Sequence, residues 1–283
     1  MLKKLLTLVM VLSGFFTEAQ EPVISAKSFM AEYKTNKNLI VIDVNAPDIY
    51  GKQHIQGAIN IPHKELYKPG NIEGQIKNKE ELAVIFGKKG VSNTSKIILY
   101  DEGSNRYNSR VWWILKSIGA TDVSILHFNM DQFAGARIPL TATPASVKPV
   151  TYTVSESNYK AYTMDDVQHL AEGTLLLDGR EKEEYDGADA AKKSKGHLPG
   201  AVWMNFKEVL TPSGAYKTKD EIISIAAKFG ATPEKPIVVY CNSGIKAAVL
   251  YIALKEIAGF QNVNNYVGSY ADWSTVPENK IIQ

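Results

Sequence analysis

Along the chain, short unbroken apolar runs alternate with longer stretches in which apolar residues recur every three to four positions. The runs "KIILY", 96–100, and "PIVVY", 236–240, are continuous and β-branched, the pattern of strands buried on both faces of a parallel sheet. "EELAVIFGKK", 80–89, and "DEIISIAAKF", 220–229, carry apolar residues at helical spacing. Each follows a start signal, Asn78-Lys79-Glu80-Glu81 or Thr218-Lys219-Asp220-Glu221, that joins a capping side chain to an acidic first turn. Beyond each strand come a turn and a further helical stretch, "SRVWWILKSIG", 109–119, or "KAAVLYIALKEIAG", 246–259. These lead to the short strands "DVSIL", 122–126, and "QNVNNY", 261–266. Strand and helix alternate, so the pattern predicts an α/β fold with right-handed crossovers.

The same pattern occurs twice. "LIVIDVNAPDIYGKQHIQGAINIP", 39–62, pairs with "TLLLDGREKEEYDGADAAKKSKGHLPGAVWMNF", 174–206. In each, an apolar strand ends in Asp (Asp43, Asp178), followed by a Tyr and Gly and then His-x-x-Gly-Ala beginning at His54 or His197. Residues 78–101 match 218–241 at a constant offset of 140, which sets Gly90 against Gly230 and Asp101 against Cys241. A duplicated domain is the expectation. "LTATPASVKPVTYTVSES", 140–157, has no helical period and reads as an extended connection. The predicted organisation is a first domain over 20–142, a linker over 143–158 and a second domain over 159–283.

Composition narrows the function classes. Of 283 residues 45% are hydrophobic, which excludes a disordered chain, and 32 basic against 30 acidic side chains leave +2, too little for a nucleic-acid stripe. The first 19 residues stand apart: Lys3 and Lys4, an apolar stretch from Leu5 to Phe16, then small residues ending at Ala19. They read as a signal peptide, too short to span a bilayer. The expectation is an exported protein, periplasmic or secreted, with no stable membrane anchor after cleavage.

Cys241 is the chain's one cysteine, so no intramolecular disulfide can form, and the thiol is either a nucleophile or a small buried hydrophobe. Its position favours chemistry. In open α/β sheets, ligands gather where strand ends meet helix N-termini, and "CNSGIKA", 241–247, lies between a predicted strand and a predicted helix. Gly244 permits a tight turn, so the amides of Asn242, Ser243, Gly244, Ile245 and Lys246 can curl around the sulfur as an anion-binding nest.

At these residues the chain resembles the rhodanese family, specifically its tandem-domain sulfurtransferases acting on thiosulfate or 3-mercaptopyruvate. The resemblance rests on Cys241 against Asp101, on "RVWW", 110–113, on "GHLPGA", 196–201, and on "VGSYADW", 267–273. It implies two tandem rhodanese-like domains, the first catalytically silent. It also implies a ping-pong reaction without cofactor or metal: Cys241 takes the sulfane sulfur of a small anionic donor as a persulfide and passes it to cyanide or a thiol. Arg180 is included among the implied substrate-binding residues, with Asp178 and Arg110 as supporting residues. The family's "DARxxxRF" segment, which contributes a substrate-binding arginine, is "DGREKEEY" here, with Glu184 where that arginine would sit and where a negative charge would repel an anionic donor; at the family's next arginine, in a "PEPR" stretch, Lys192, Lys193 and Lys195 are the candidate sources of positive charge. Ser243 fits mercaptopyruvate-type loops, whereas Lys246 fits loops that hold thiosulfate, so the donor stays open.

Two other readings compete. Related loop-cysteine phosphatases need Cys-x5-Arg, and the position of that arginine is Ala247, which disfavours phosphate esters. A non-catalytic binding or sulfur-relay module is the alternative to an enzyme. Trp112, Trp113 and Trp273 read as packing residues, His54 and His197 as structural turns, and Asp101 and Asp43 as acceptors for loop amides.

Overall fold

The computed structural model describes residues 21–126, 133, 135–188 and 194–283. The expected signal peptide, His127, Lys192 and Lys193 lie outside the described residues.

Strands of the first half are β1 (Val23–Ile24), β2 (Ile40–Asp43), β3 (His54–Ile55), β4 (Ile59–Asn60), β5 (Lys96–Tyr100), β6 (Asp122–Leu126) and β7 (Leu140–Thr141). Those of the second are β8 (Ala161–Tyr162), β9 (Leu175–Asp178), β10 (Ala201–Trp203), β11 (Ile237–Tyr240) and β12 (Val263–Tyr266). The main sheets each have five strands, ordered β1-β6-β5-β2-β4 and β8-β12-β11-β9-β10. All pairings within these two sheets are parallel. The two orders correspond strand for strand, as the repeat predicts. In both sheets the strand preceding Asp101 or Cys241 is central, buried throughout at Ile97–Tyr100 and Ile237–Tyr240, which explains the unbroken apolar runs.

The predicted helices form at Lys79–Lys88 and Lys219–Lys228, each with a complete capping box: Asn78 with Glu81, and Thr218 with Glu221. The repeat extends to side-chain detail. Tyr50 stacks on His54 at 3.6 Å and Tyr185 on His197 at 3.7 Å. The Tyr100 hydroxyl accepts the Ile55 N–H at 3.0 Å, and the Tyr240 hydroxyl accepts that of Leu198 at 3.2 Å. His54 and His197 therefore hold turns, as their duplication suggests.

After the central strands the copies diverge. The first continues as one α-helix, Tyr107–Ser117; the second is α-helical over Ile245–Tyr251 and widens into a π-helix over Ile252–Ile257, a departure from the single regular helix its pattern predicts. These two helices pack against each other across the domain boundary. Trp113 meets Tyr251 edge-on at 6.4 Å, and the hydroxyls of Ser109 and Tyr216 are 2.8 Å apart. Residues 142–157 form neither helix nor strand, and they are docked on the first domain: the Val150 N–H donates to the Gly87 carbonyl at 2.9 Å, and Tyr152 packs beside Phe86.

Candidate active site

Cys241 follows β11 directly and is buried, with 1% of its surface exposed. Its backbone is pinned from the second domain's helix Ser269–Trp273. The Cys241 N–H donates to Ser269 Oγ at 3.1 Å, and its carbonyl accepts the Tyr270 N–H at 3.0 Å. The chain then turns through Gly244 at φ +78°, and this left-handed step points the Gly244 N–H back at Cys241 Sγ, 3.1 Å away. Of the five amides in the expected nest, this is the one hydrogen-bonded to the sulfur among the described residues.

Glycine is required there for space as well as conformation. A Cβ on Gly244 would sit 2.5 Å from Arg110 Nη1 and 2.6 Å from the Val267 carbonyl oxygen. Arg110 comes from the first domain and is fully buried. Its guanidinium donates to three carbonyls, Gly244 at 3.2 Å, Gly74 at 3.0 Å and Val267 at 3.3 Å, and lies over the Tyr67 ring at 5.9 Å. Burial pushes this guanidinium below its ordinary value, while Tyr67 and Cys241 pull the other way. Burial likewise drives Tyr67 up to about 12. Arg110 thus braces the cysteine loop from across the domain boundary through carbonyl oxygens.

Cys241 opens onto a cavity of about 390 Å³. The second domain supplies Asn242, Ser243, Ile245, Lys246 and Glu184 to its wall, and the first domain supplies Glu73, Arg106 and Tyr107. Glu73 accepts a hydrogen bond from Asn242 Nδ2 at 2.8 Å, joining the two halves at the cavity. Glu184, the residue expected to repel a donor, is 2.6 Å from Lys246 Nζ, and their side chains are only 1% and 13% exposed. The negative charge at the family's arginine position is thus balanced inside the cavity, and Lys246 is committed to that balance.

Arg180 requires a correction. It is fully buried and does not line the cavity. Its Nε and Nη2 grip the Asp178 carboxylate at 2.9 and 2.6 Å, Nη1 donates to Ser194 Oγ at 3.0 Å, and Nη2 also reaches the Gly196 carbonyl at 2.8 Å. The guanidinium lies 4.4 Å from the Tyr270 ring centroid. Following the strand end so closely, the side chain folds back over Asp178 and its donors are spent inside the second domain. Asp178 also accepts the Arg180 N–H at 3.0 Å and so orders the turn after its own strand. Lys195 is exposed and off the cavity wall.

In the corresponding loop of the first domain, Asp101 accepts N–H groups from Gly103 at 2.8 Å, Asn105 at 3.2 Å and Tyr107 at 3.2 Å, and the Ser104 hydroxyl at 2.9 Å. A carboxylate there satisfies its own loop. Glu73, Arg106 and Tyr107 were missed from the sequence because they belong to the copy without the cysteine. The available signal was the longer loop "DEGSNRY", whose helix starts at Tyr107, set against a helix start at Ile245 in the other copy.

A twice-repeated parallel α/β module, with a buried cysteine at one central strand end and aspartate at the other, defines a duplicated α/β protein with one loop cysteine. The family of rhodanese-like domains matches residues 25–136 and 163–275, and the chain belongs to that family. It is 27% identical over 272 residues to a thiosulfate sulfurtransferase of Corynebacterium glutamicum, covering 90% of this chain and 88% of that one. It is 26% identical over 275 residues to the sulfur carrier protein TtuD of Thermus thermophilus, covering 91% and 95%. Among solved structures, SseA from Escherichia coli, a 3-mercaptopyruvate sulfotransferase, superposes with a TM-score of 0.79 at 25% identity, over 89% of this chain and 99% of that one.

Proposed function

We propose that the chain is a sulfurtransferase that carries sulfur on Cys241 as a persulfide. The observation that supports this most directly is the Gly244 N–H held 3.1 Å from Cys241 Sγ at the floor of a cavity shared by both domains. In the first half-reaction the Cys241 thiolate attacks the sulfane sulfur of thiosulfate, forming a new S–S bond while sulfite leaves with the electron pair of the old one. With 3-mercaptopyruvate the C–S bond breaks instead, and pyruvate leaves after taking up a proton at carbon. In the second half-reaction cyanide or a thiolate attacks the outer sulfur, and the S–S bond breaks to return the Cys241 thiolate. The Gly244 amide stabilises negative sulfur at each stage, and burial keeps water from competing.

The resemblance to a sulfur carrier supports a second reading, in which the persulfide is handed to one partner protein and small acceptors turn over slowly. Both readings need Cys241. Incubation with thiosulfate or 3-mercaptopyruvate in parallel, followed by intact mass, should show one added sulfur atom on the wild-type chain and none on Cys241→Ser. Multiple turnovers to cyanide or a thiol support the enzyme; stoichiometric loading without turnover supports the carrier; a loaded Cys241→Ser protein refutes both. We also propose, from the charged and apolar pattern of the first 19 residues, that the chain is exported, which cell fractionation checks.

A further inference from the structure

We propose that Arg106, contributed by the catalytically silent half, is the cation that holds the charged end of the sulfur donor. The inference rests on the sulfur-transfer reading above and names the donor-binding residue within it.

The argument is one of elimination by charge within the cavity. An anionic donor needs an uncommitted positive group near the sulfur, and three basic residues of the described chain lie close enough to consider. Arg110 is fully buried beneath the loop, with its guanidinium on the carbonyls of Gly244, Gly74 and Val267, so it braces the loop without reaching the cavity. Lys246 lines the cavity, but its Nζ is 2.6 Å from the buried Glu184 carboxylate. Moving it towards a donor would break a buried ion pair. Arg106 also lines the cavity, is partly exposed, and forms no ion pair among the described residues. The neighbouring carboxylates have other partners: Glu73 accepts from Asn242, and Glu181 pairs with Lys207 at 3.0 Å.

Arg106 is also held ready. Its guanidinium carbon stands 5.3 Å from the Tyr107 ring centroid, and Tyr107 is in turn stacked on His63 at 4.0 Å. A planar guanidinium kept at an aromatic face retains its five donors for a sulfonate-like or carboxylate group, which it can grip with two parallel hydrogen bonds. Arg106 further lines an adjoining hollow of about 660 Å³, so it stands at the boundary between the sulfur and the approach to it. The arrangement compensates for Glu184: the cation absent from the second domain is supplied across the interface by the first.

Two measurements test this. Calorimetric titration of thiosulfate into Cys241→Ser protein, where nothing reacts, should show Kd raised about tenfold or more when Arg106→Gln is added, with most of the affinity recovered in Arg106→Lys. In the protein with Cys241 intact, persulfide formation by thiosulfate should lose at least about tenfold more kcat/KM on Arg106→Gln than the reaction with an uncharged dialkyl trisulfide, in which the Cys241 thiolate attacks the central sulfur, an alkylthiolate leaves and a mixed trisulfide forms on Cys241, the loss lying in KM. Unchanged thiosulfate affinity, or equal losses with charged and uncharged donors, would overturn the proposal. Persulfide formation failing in the wild-type chain while thiosulfate affinity still depends on Arg106 would instead refute the sulfur-transfer reading and leave the anion site standing.

Discussion

A buried guanidinium that already holds a carboxylate, a hydroxyl and a carbonyl has little left for a ligand, and Arg180 is in that position. Burial lowers its tendency to stay charged, yet the hydrogen bonds and charge of Asp178 outweigh burial and hold it above its ordinary value. Its removal is therefore a stability experiment. Arg180→Met leaves the buried Asp178 carboxylate without its partner, and urea denaturation should show a loss of about 3–5 kcal/mol, while the KM for donor of the remaining folded protein should stay near the wild-type value. Glu184 illustrates the same rule with the opposite sign: read along the chain it is a misplaced negative charge, and beside Lys246 it is half of a compact pair. In the sequence Arg180 was visible as a match to the pattern and Glu184 as a departure from it. Their roles were not, because a side chain's charge says nothing about which partner lies 3 Å away once the chain folds.

At the scale of elements, the cysteine loop is a short turn clamped from both domains. Its glycine is constrained twice, by φ +78° and by Arg110 Nη1 at the position a Cβ would fill. Gly244→Ala should cost about 1–2 kcal/mol for the left-handed backbone alone. It should also slow persulfide formation roughly ten- to hundredfold by displacing the amide from the sulfur, read by single-turnover kinetics on protein with unchanged circular dichroism. A parallel effect is expected from the other domain. Gly74 has φ +73°, and a Cβ there would approach the Ser243 carbonyl oxygen at 2.6 Å, so Gly74→Ala should damage the same rate although it lies in the silent half. The strands and capped helices around this loop were legible from period and caps. The π-helical stretch over Ile252–Ile257 was not, since its apolar residues also satisfy an ordinary helical period.

At the scale of the whole molecule, duplication sets two equivalent loops face to face, and one has kept the sulfur while the other supplies walls. His63 belongs to this interdomain region, stacked on Tyr107 with Nδ1 3.2 Å from the Tyr67 hydroxyl. Burial, with Lys64, Arg110 and Arg106 adding to it, pushes His63 down to about 4 from its usual 6.5. Because the folded value is the lower one, the unfolded chain takes up the proton first, so stability falls as pH drops from about 6.5 towards 4. Urea midpoints measured across that range should decline, and His63→Gln should remove part of the decline. The sequence by itself determined the α/β class, the duplication, the central strands with their capped helices, and the place of Cys241 at the end of a central strand, because hydrophobic period, capping chemistry and repeat offset are local properties of a chain. Only the tertiary structure decided that Arg180 is internal, that Lys246 answers Glu184, and that Arg106 and Glu73 reach the cysteine from the opposite domain. Those outcomes depend on distances between residues far apart in sequence, and on which polar groups find each other when water is excluded.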